Sequence, residues 1–256
     1  MPGFRDDFGG TDLDLDVWVP HYLPAWSSRA ATAASYEVRD SRLTLRIPPD
    51  HPLWCPEDHP TPLRVSGIMS GSFSGPVGST VGQQPIYPGQ TVKEQQPTHW
   101  GWTPAGGRIE IRCAMRLSPR SMAAFWMVGL ETVPEHSAEI CVTEVFGRSL
   151  EPGRSAEVGM GLHKFRDLDV AEDFAAPRLD IDVATMHDYA VDWTTERCVF
   201  YVDGREVRTC PNPPTYPMQM MLAVFDFPEW SAGDDDHLVP ELVVEHLLGS
   251  QGSARP

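Results

Sequence analysis

Glu139-Ile-Cys-Val-Thr-Glu144, a short distance after Ala124-Phe-Trp126-Met127, is the stretch on which the reading of this chain turns. Both segments have the apolar, β-branched and aromatic make-up of strands. Strand side chains alternate, so Glu139, Cys141 and Thr143 share one face and Glu144 falls on the other. On spacing alone, an ordinary strand with one acid on each face is the simpler reading. One extra residue, a β-bulge, would turn Glu144 onto the face of Glu139. Two carboxyl groups about 5–5.5 Å apart are the minimal equipment for hydrolysing a glycosidic bond with retention.

Working outward, the chain reads as one all-β domain. Its 256 residues include 25 Pro and 21 Gly, and helical periodicity is scarce. Strands joined by turns follow from that pattern. Ser41-Arg-Leu-Thr-Leu-Arg-Ile47 alternates polar and apolar, and 13–18 and 34–48 are read as early strands. Later strands are expected at 107–117, 121–130, 137–146, 156–164, 187–194, 197–203, 205–210, 217–226 and 240–248. Residues 49–104, rich in Pro, Gly, Ser and His, are expected to be irregular, with short strands at best, and loops of this length often build binding surfaces. Residues 165–184 read as a mixed loop. The expected architecture is two stacked antiparallel sheets, a jelly-roll sandwich, over residues 1–248. Residues 249–256 are expected to be a disordered tail.

Charge narrows the function. The net charge of −16 argues against nucleic acid, anionic membranes and sulfated polysaccharides as partners, and leaves neutral glycans unpenalised. No apolar run is long enough to span a bilayer. The first residues, Met1-Pro-Gly-Phe-Arg-Asp-Asp7, do not read as a signal peptide, so a cytoplasmic protein or a trimmed leader is expected. Cys55, Cys113, Cys141, Cys198 and Cys210 show no metal spacing. A two-residue turn at Asp203-Gly204 would set Cys198 opposite Thr209 and send Cys210 to the other face, so no bridge is expected. Asp234-Asp-Asp-His237 reads as a solvated acidic run rather than a metal site.

Taken together, several motifs resemble glycoside hydrolase family 16. The family pattern sets an aromatic "A-x-W-M" strand before E-I-D-x-x-E. Phe4-Arg-Asp-Asp-Phe8, Leu15-Asp-Val-Trp18, Gly161-Leu-His163, Tyr189-Ala-Val-Asp-Trp193 and Phe200-Tyr-Val-Asp-Gly204 follow in family order. The resemblance covers about residues 4–248 and implies a concanavalin-like jelly roll of the laminarinase and agarase kind, with a sugar cleft on the concave sheet; it also implies secretion, which conflicts with the reading of the N-terminus. It implies that Glu139 is the nucleophile and Glu144 the acid/base. Cys141 departs from the pattern, because the family has an acid there. A thiol between two acids should stay neutral and cannot reproduce a carboxylate's charge. Its plainer role is a small buried hydrophobe.

Sugar rings stack their C–H faces on aromatic rings. Trp126, Trp100 and Trp102 are therefore the candidate stacking residues, with core packing as the alternative reading. Core packing is the expected role of Trp18 and Trp193. His163 is expected near the acids, bonded either to a sugar hydroxyl or to Glu144, or else as a satisfied core histidine. No cofactor is expected, although the resemblance raises a structural calcium ion near Asp7 and Glu245. The function expected is a retaining endo-glycosidase on a β-linked neutral polysaccharide, of β-1,3-glucanase type, acting as a monomer. The alternative is a carbohydrate-binding jelly roll that has lost activity. A polysaccharide lyase on a similar sandwich is a weaker option, since it would want an anionic substrate.

Overall fold

Why the chain turns where it does is visible from its first strand. In the computed structural model, which describes residues 3–233 and 238–250, the chain forms eighteen strands and three short 3-10 turns. They are β1 (Phe4–Asp6), β2 (Tyr36–Val38), β3 (Leu43–Arg46), β4 (Arg64–Met69), β5 (Gly71–Ser72), β6 (His99–Trp100), β7 (Gly107–Arg116), β8 (Ser121–Gly129) and β9 (Glu139–Phe146). Then come β10 (Ala156–Glu157), β11 (Gly159–His163), β12 (Asp173–Ala175), β13 (Arg178–Leu179), β14 (His187–Trp193), β15 (Arg197–Val202), β16 (Arg205–Pro211), β17 (Met218–Asp226) and β18 (Glu241–Gly249). Two antiparallel sheets stack face to face. One runs β16-β15-β14-β7-β18-β3-β2, with β1 also on β18; the other runs β12-β11-β9-β8-β17-β4. This is the expected jelly-roll sandwich.

The six-stranded sheet carries the site, and its middle explains itself. Every residue of β8 and of β17 is buried. A strand buried on both faces loses the polar–apolar alternation, which is why Ser121–Gly129 and Met218–Asp226 read as near-continuous apolar runs. One face of β8, with Ala123, Phe125 and Met127, joins the core between the sheets. The other, with Met122, Ala124, Trp126 and Val128, packs under Tyr22, Trp26, Trp54 and Leu63 from the irregular parts of the N-terminal third. Asp226 ends β17 almost fully buried, held by Arg64 at 2.9 Å and Arg120 at 2.7 Å.

Several expectations need correction. Residues 13–18 are a turn, not a strand: Val17 and Trp18 donate to the carbonyl of Asp14, and Asp16 N–H donates to its side chain. Asp side chains compete for nearby backbone in this way. Trp18 is buried, as expected, and donates to Asp6 at 2.8 Å. Within 49–104 lies a full six-residue strand, β4, paired to β17. The single strand expected at 156–164 is two, β10 and β11. The region 165–184 supplies β12 and β13. A register shift between Phe200 and Tyr201 sets Cys198 opposite Cys210, not Thr209, with both thiols buried and free. The bulge adds the residue that the simple hairpin count lacked. Gly249 pairs with Ile109 rather than beginning the tail, while 251–256 and the 234–237 run lie outside the described residues.

Candidate active site

The parity problem in β9 is solved by a bulge. Ala124 pairs with Glu144 and Phe125 with Thr143, but Trp126 pairs with Cys141, leaving Val142 as the extra residue. Ile140, Val142 and Val145 point into the core between the sheets. Glu139, Cys141 and Glu144 line one cavity of about 120 Å³ on the outer face, with Tyr22, Gln84, Trp126 and Phe225. Next to Glu144, in β11, stands Gly159. A Cβ there would lie 2.5 Å from the Phe174 ring and 3.3 Å from Glu144 Cβ, so only glycine lets these side chains meet.

The electrostatics follow from burial. Burial first, then the charges of Glu144 and Glu131, push the Glu139 carboxyl from its ordinary range up to about 8. Gln84 opposes this by donating from Nε2 to Glu139 Oε1 at 2.6 Å. Burial also raises Glu144, against the pull of His163. Cys141 is 2% exposed; burial, then Glu144 and Glu139, drive its thiol far up, so it stays neutral. The two glutamates are thus a coupled pair in a poorly hydrated site, biased toward holding a proton. The push is stronger on Glu139 than on Glu144, so the free pair keeps its shared proton on Glu139.

Gln84 is the residue that sequence reasoning missed. It lies in the long loop region, at φ 44°, with its backbone N–H donating to Glu131 at 2.9 Å. Glu131 is buried and paired with Arg166, and burial lifts its carboxyl to about 7. The neighbouring Gln83 fixes the loop by accepting from Phe73 N–H and from the Trp26 indole, and by donating to Leu130. Phe146, Phe227 and Trp230 form a second missed feature. Phe227 stacks on Trp230 at 4.1 Å and on Phe146 at 6.3 Å, and Arg148 lies 4.4 Å over the Trp230 ring. Phe227 also stacks against Phe225, so this aromatic strip leads out of the cavity.

The family model of glycosyl hydrolases family 16 matches residues 105–239, which hold both glutamates and the bulge. The chain belongs to that family. Three solved structures share its fold. One is a GlcNAcα1-4Gal releasing endo-β-galactosidase from Clostridium perfringens, 23% identical, with TM-score 0.75 over 96% of this chain. This chain spans 61% of that protein's length. A laminarinase from Flavobacterium sp. UMI-01 is 18% identical, with TM-score 0.64 over 97% of this chain and 99% of its own. The catalytic domain of an endo-1,3-β-glucanase (laminarinase) from Thermotoga petrophila is 12% identical, with TM-score 0.65 over 98% and 97%. No curated protein matches the sequence.

In this family 16 chain the other candidate residues separate. Trp126 lies on the outer face and lines the cavity, although it is only 6% exposed and packs against Tyr22 and Phe225. Trp193 is buried, as expected. His163 stands opposite Glu139 in β11 but does not line the cavity. Its Nδ1 bonds Glu172 at 2.6 Å, not Glu144, and its ring stacks on Phe174 at 4.4 Å. Trp100 and Trp102 do not reach the glutamates. Trp100 lies in the β5–β6 ribbon against Phe73 and over Gly71. Trp102 stacks on Phe4 at 4.6 Å and covers Gly249, at the eight-stranded sheet. Of the two readings open for these tryptophans, sugar stacking and core packing, the loop that carries them leads both to packing sites. Asp7 pairs with Arg5, and both oxygens of Glu245 accept from arginines, Arg42 and Arg112, each at 2.8 Å. An ion shared by Asp7 and Glu245 would have to displace both arginines, so these residues do not fit a calcium pair.

Proposed function

We propose that this protein is a retaining endo-glycosidase of β-1,3-glucanase type, acting on a β-linked neutral polysaccharide. The observation that carries the reading is the bulge at Val142, which brings Glu139 and Glu144 onto one face beside Trp126. Glu139 is the nucleophile: with its proton passed to Glu144, its carboxylate oxygen bonds the anomeric carbon as the glycosidic C–O bond breaks. Glu144 gives its proton to the leaving oxygen, then takes one from the water that releases the sugar from Glu139. Gln84 holds the Glu139 carboxyl in place, and Trp126 offers the sugar an apolar wall. Cys141 fills space without charge. The aromatic strip to Trp230 gives further units of a polymer a surface to lie on, which supports internal cleavage.

Cys141 favours a second reading, a carbohydrate-binding jelly roll without turnover, because the acid beside the nucleophile is missing. Reducing-end release from a panel of neutral glucans and galactans separates the two. The proposal expects release from at least one β-linked polymer, loss of release in Glu139→Gln, and a first product with retained anomeric configuration by proton NMR. Binding without release, followed by release in Cys141→Asp, would establish the second reading.

A further inference from the structure

Beyond Gln84 lies a second cavity of about 410 Å³ that also has Gln84 in its wall. Its size is that of a small-ligand site, roughly 300–1,000 Å³. Pro85, Ile86, Tyr87, Phe165 and Arg166 line it, beside the buried Glu131. Gln84 is thus the shared wall, and a chain lying across Glu139 would pass that side chain to enter this cavity.

Two features of the wall are unexplained by folding alone. Phe165 is 58% exposed and sits at φ 44°, a left-handed backbone that a bulky side chain disfavours. Its ring lies 5.9 Å from that of His163, tilted by 58°, and still keeps more than half of its surface open to solvent. The loop is nonetheless fixed. Arg166 N–H donates to Ser137 at 3.0 Å, its Nε to the Pro134 carbonyl at 3.0 Å, and its Nη2 to Glu131. Tyr87 is 43% exposed, yet its hydroxyl donates to Asp58 at 3.0 Å, and Asp58 also binds Lys93 at 2.6 Å. Two exposed aromatic rings are thus held in place before any ligand arrives, which lowers the entropy cost of binding.

The lining also says what would fit. Aromatic rings stack on the C–H face of a pyranose. Pro85 and Ile86 add aliphatic surface that sugar hydroxyls cannot use but an acyl methyl can. A guanidinium has five N–H donors, and the bonds above use Nε and Nη2, so Nη1 remains to meet an acyl carbonyl. A uronic acid fits poorly, because Glu131 already pairs with Arg166 and the chain carries −16 overall. We propose that this cavity is an accessory subsite for an N-acetylated hexose unit of the glycan that lies across Glu139 and Glu144. It rests on the glycosidase reading for the course of the glycan, but not for turnover.

Calorimetry on the full-length Glu139→Gln protein tests it without catalysis. The probes are a β-1,3-linked glucose tetrasaccharide and the same tetrasaccharide with one N-acetylglucosamine at each position in turn. One position is expected to bind at least tenfold tighter than the unsubstituted probe. Phe165→Ala and Tyr87→Ala are expected to erase that margin, and to weaken the unsubstituted probe by less than they weaken the N-acetylated one. Phe165→Gly suits the left-handed backbone, so it removes the ring without threatening the loop. Equal affinity at all positions, a margin that survives Phe165→Gly, or no binding of any probe would overturn the subsite. If the margin and its loss are seen but wild-type protein hydrolyses none of the probes or polymers, the glycosidase reading fails and the subsite stands.

Discussion

Gln84 and Cys141 together set the condition of Glu139. The amide of Gln84 donates to the carboxylate at 2.6 Å, whereas the thiol of Cys141 adds neither charge nor a strong donor. Removing the donor in Gln84→Ala should raise the proton affinity of Glu139 further. A hydrogen bond to a charged group contributes about 1.5–3 kcal/mol, so kcat/KM at pH 7 is expected to fall roughly 10- to 100-fold. The acid limb of the pH–rate profile, which follows ionisation of the coupled Glu139–Glu144 pair, should move to higher pH. Cys141→Asp should move it the other way. An acid buried between two glutamates keeps its proton and donates it to Glu139 as a hydrogen bond. An unmoved limb in both variants would show that neither residue tunes Glu139. Glu139, Glu144 and Trp126 were legible through the family pattern they resemble; counted alternation alone puts the two glutamates on opposite faces. Gln84 was not, because it reaches Glu139 from 55 residues away through a loop with no period.

At the scale of elements, the bulge in β9 and the anchored end of β17 position the site. Inserting one residue between Phe125 and Trp126 gives Val142 a partner, restores simple alternation and puts Glu139 and Glu144 on opposite faces. Reducing-end release should then vanish even where circular dichroism still reports a folded sheet; retained turnover would refute the role given to the bulge. Asp226 ties β17 to β4 through Arg64 and to the start of β8 through Arg120. Removing one partner of a buried ion pair costs about 3–5 kcal/mol. Asp226→Ala is therefore expected to lower the free energy of unfolding measured by denaturant titration by that amount, and a change under 1 kcal/mol would mean that solvent screens the pair. Strand existence was legible for β7, β8, β9, β14 and β17, where apolar runs are long. Boundaries failed where local chemistry intervened. Asp14 made a turn of 13–18, and the shift after Phe200 moved Cys198 opposite Cys210. A bulge is one residue of register and leaves no mark in composition.

For the whole molecule, the site has a cost that pH should reveal. Glu139 is raised from its ordinary value to about 8, so the native state holds a proton that the unfolded chain releases. Stability from this group is complete below the unfolded value near 4.5 and is lost as pH rises through about 8. Glu139→Gln removes that dependence. Its Tm should match wild type near pH 4 and exceed it near pH 8.5, by about 3–9 °C for a stabilisation of about 1–3 kcal/mol in a domain this size. A Tm advantage that does not grow with pH would show that Glu139 is solvated and its carboxyl ordinary. The sandwich itself was legible from turn density and strand patterning; how its loops cover the outer face was not, since 49–104 carries no readable code. The account stands most directly on a covalent bond between Glu139 and sugar. The measurement is mass spectrometry of protein incubated with a 2-deoxy-2-fluoro β-glycosyl fluoride, which slows release of the intermediate. The expected result is one added glycosyl mass on the peptide carrying Glu139, absent from Glu139→Gln. Label on another residue, or no label on protein that hydrolyses β-glycan, would contradict it.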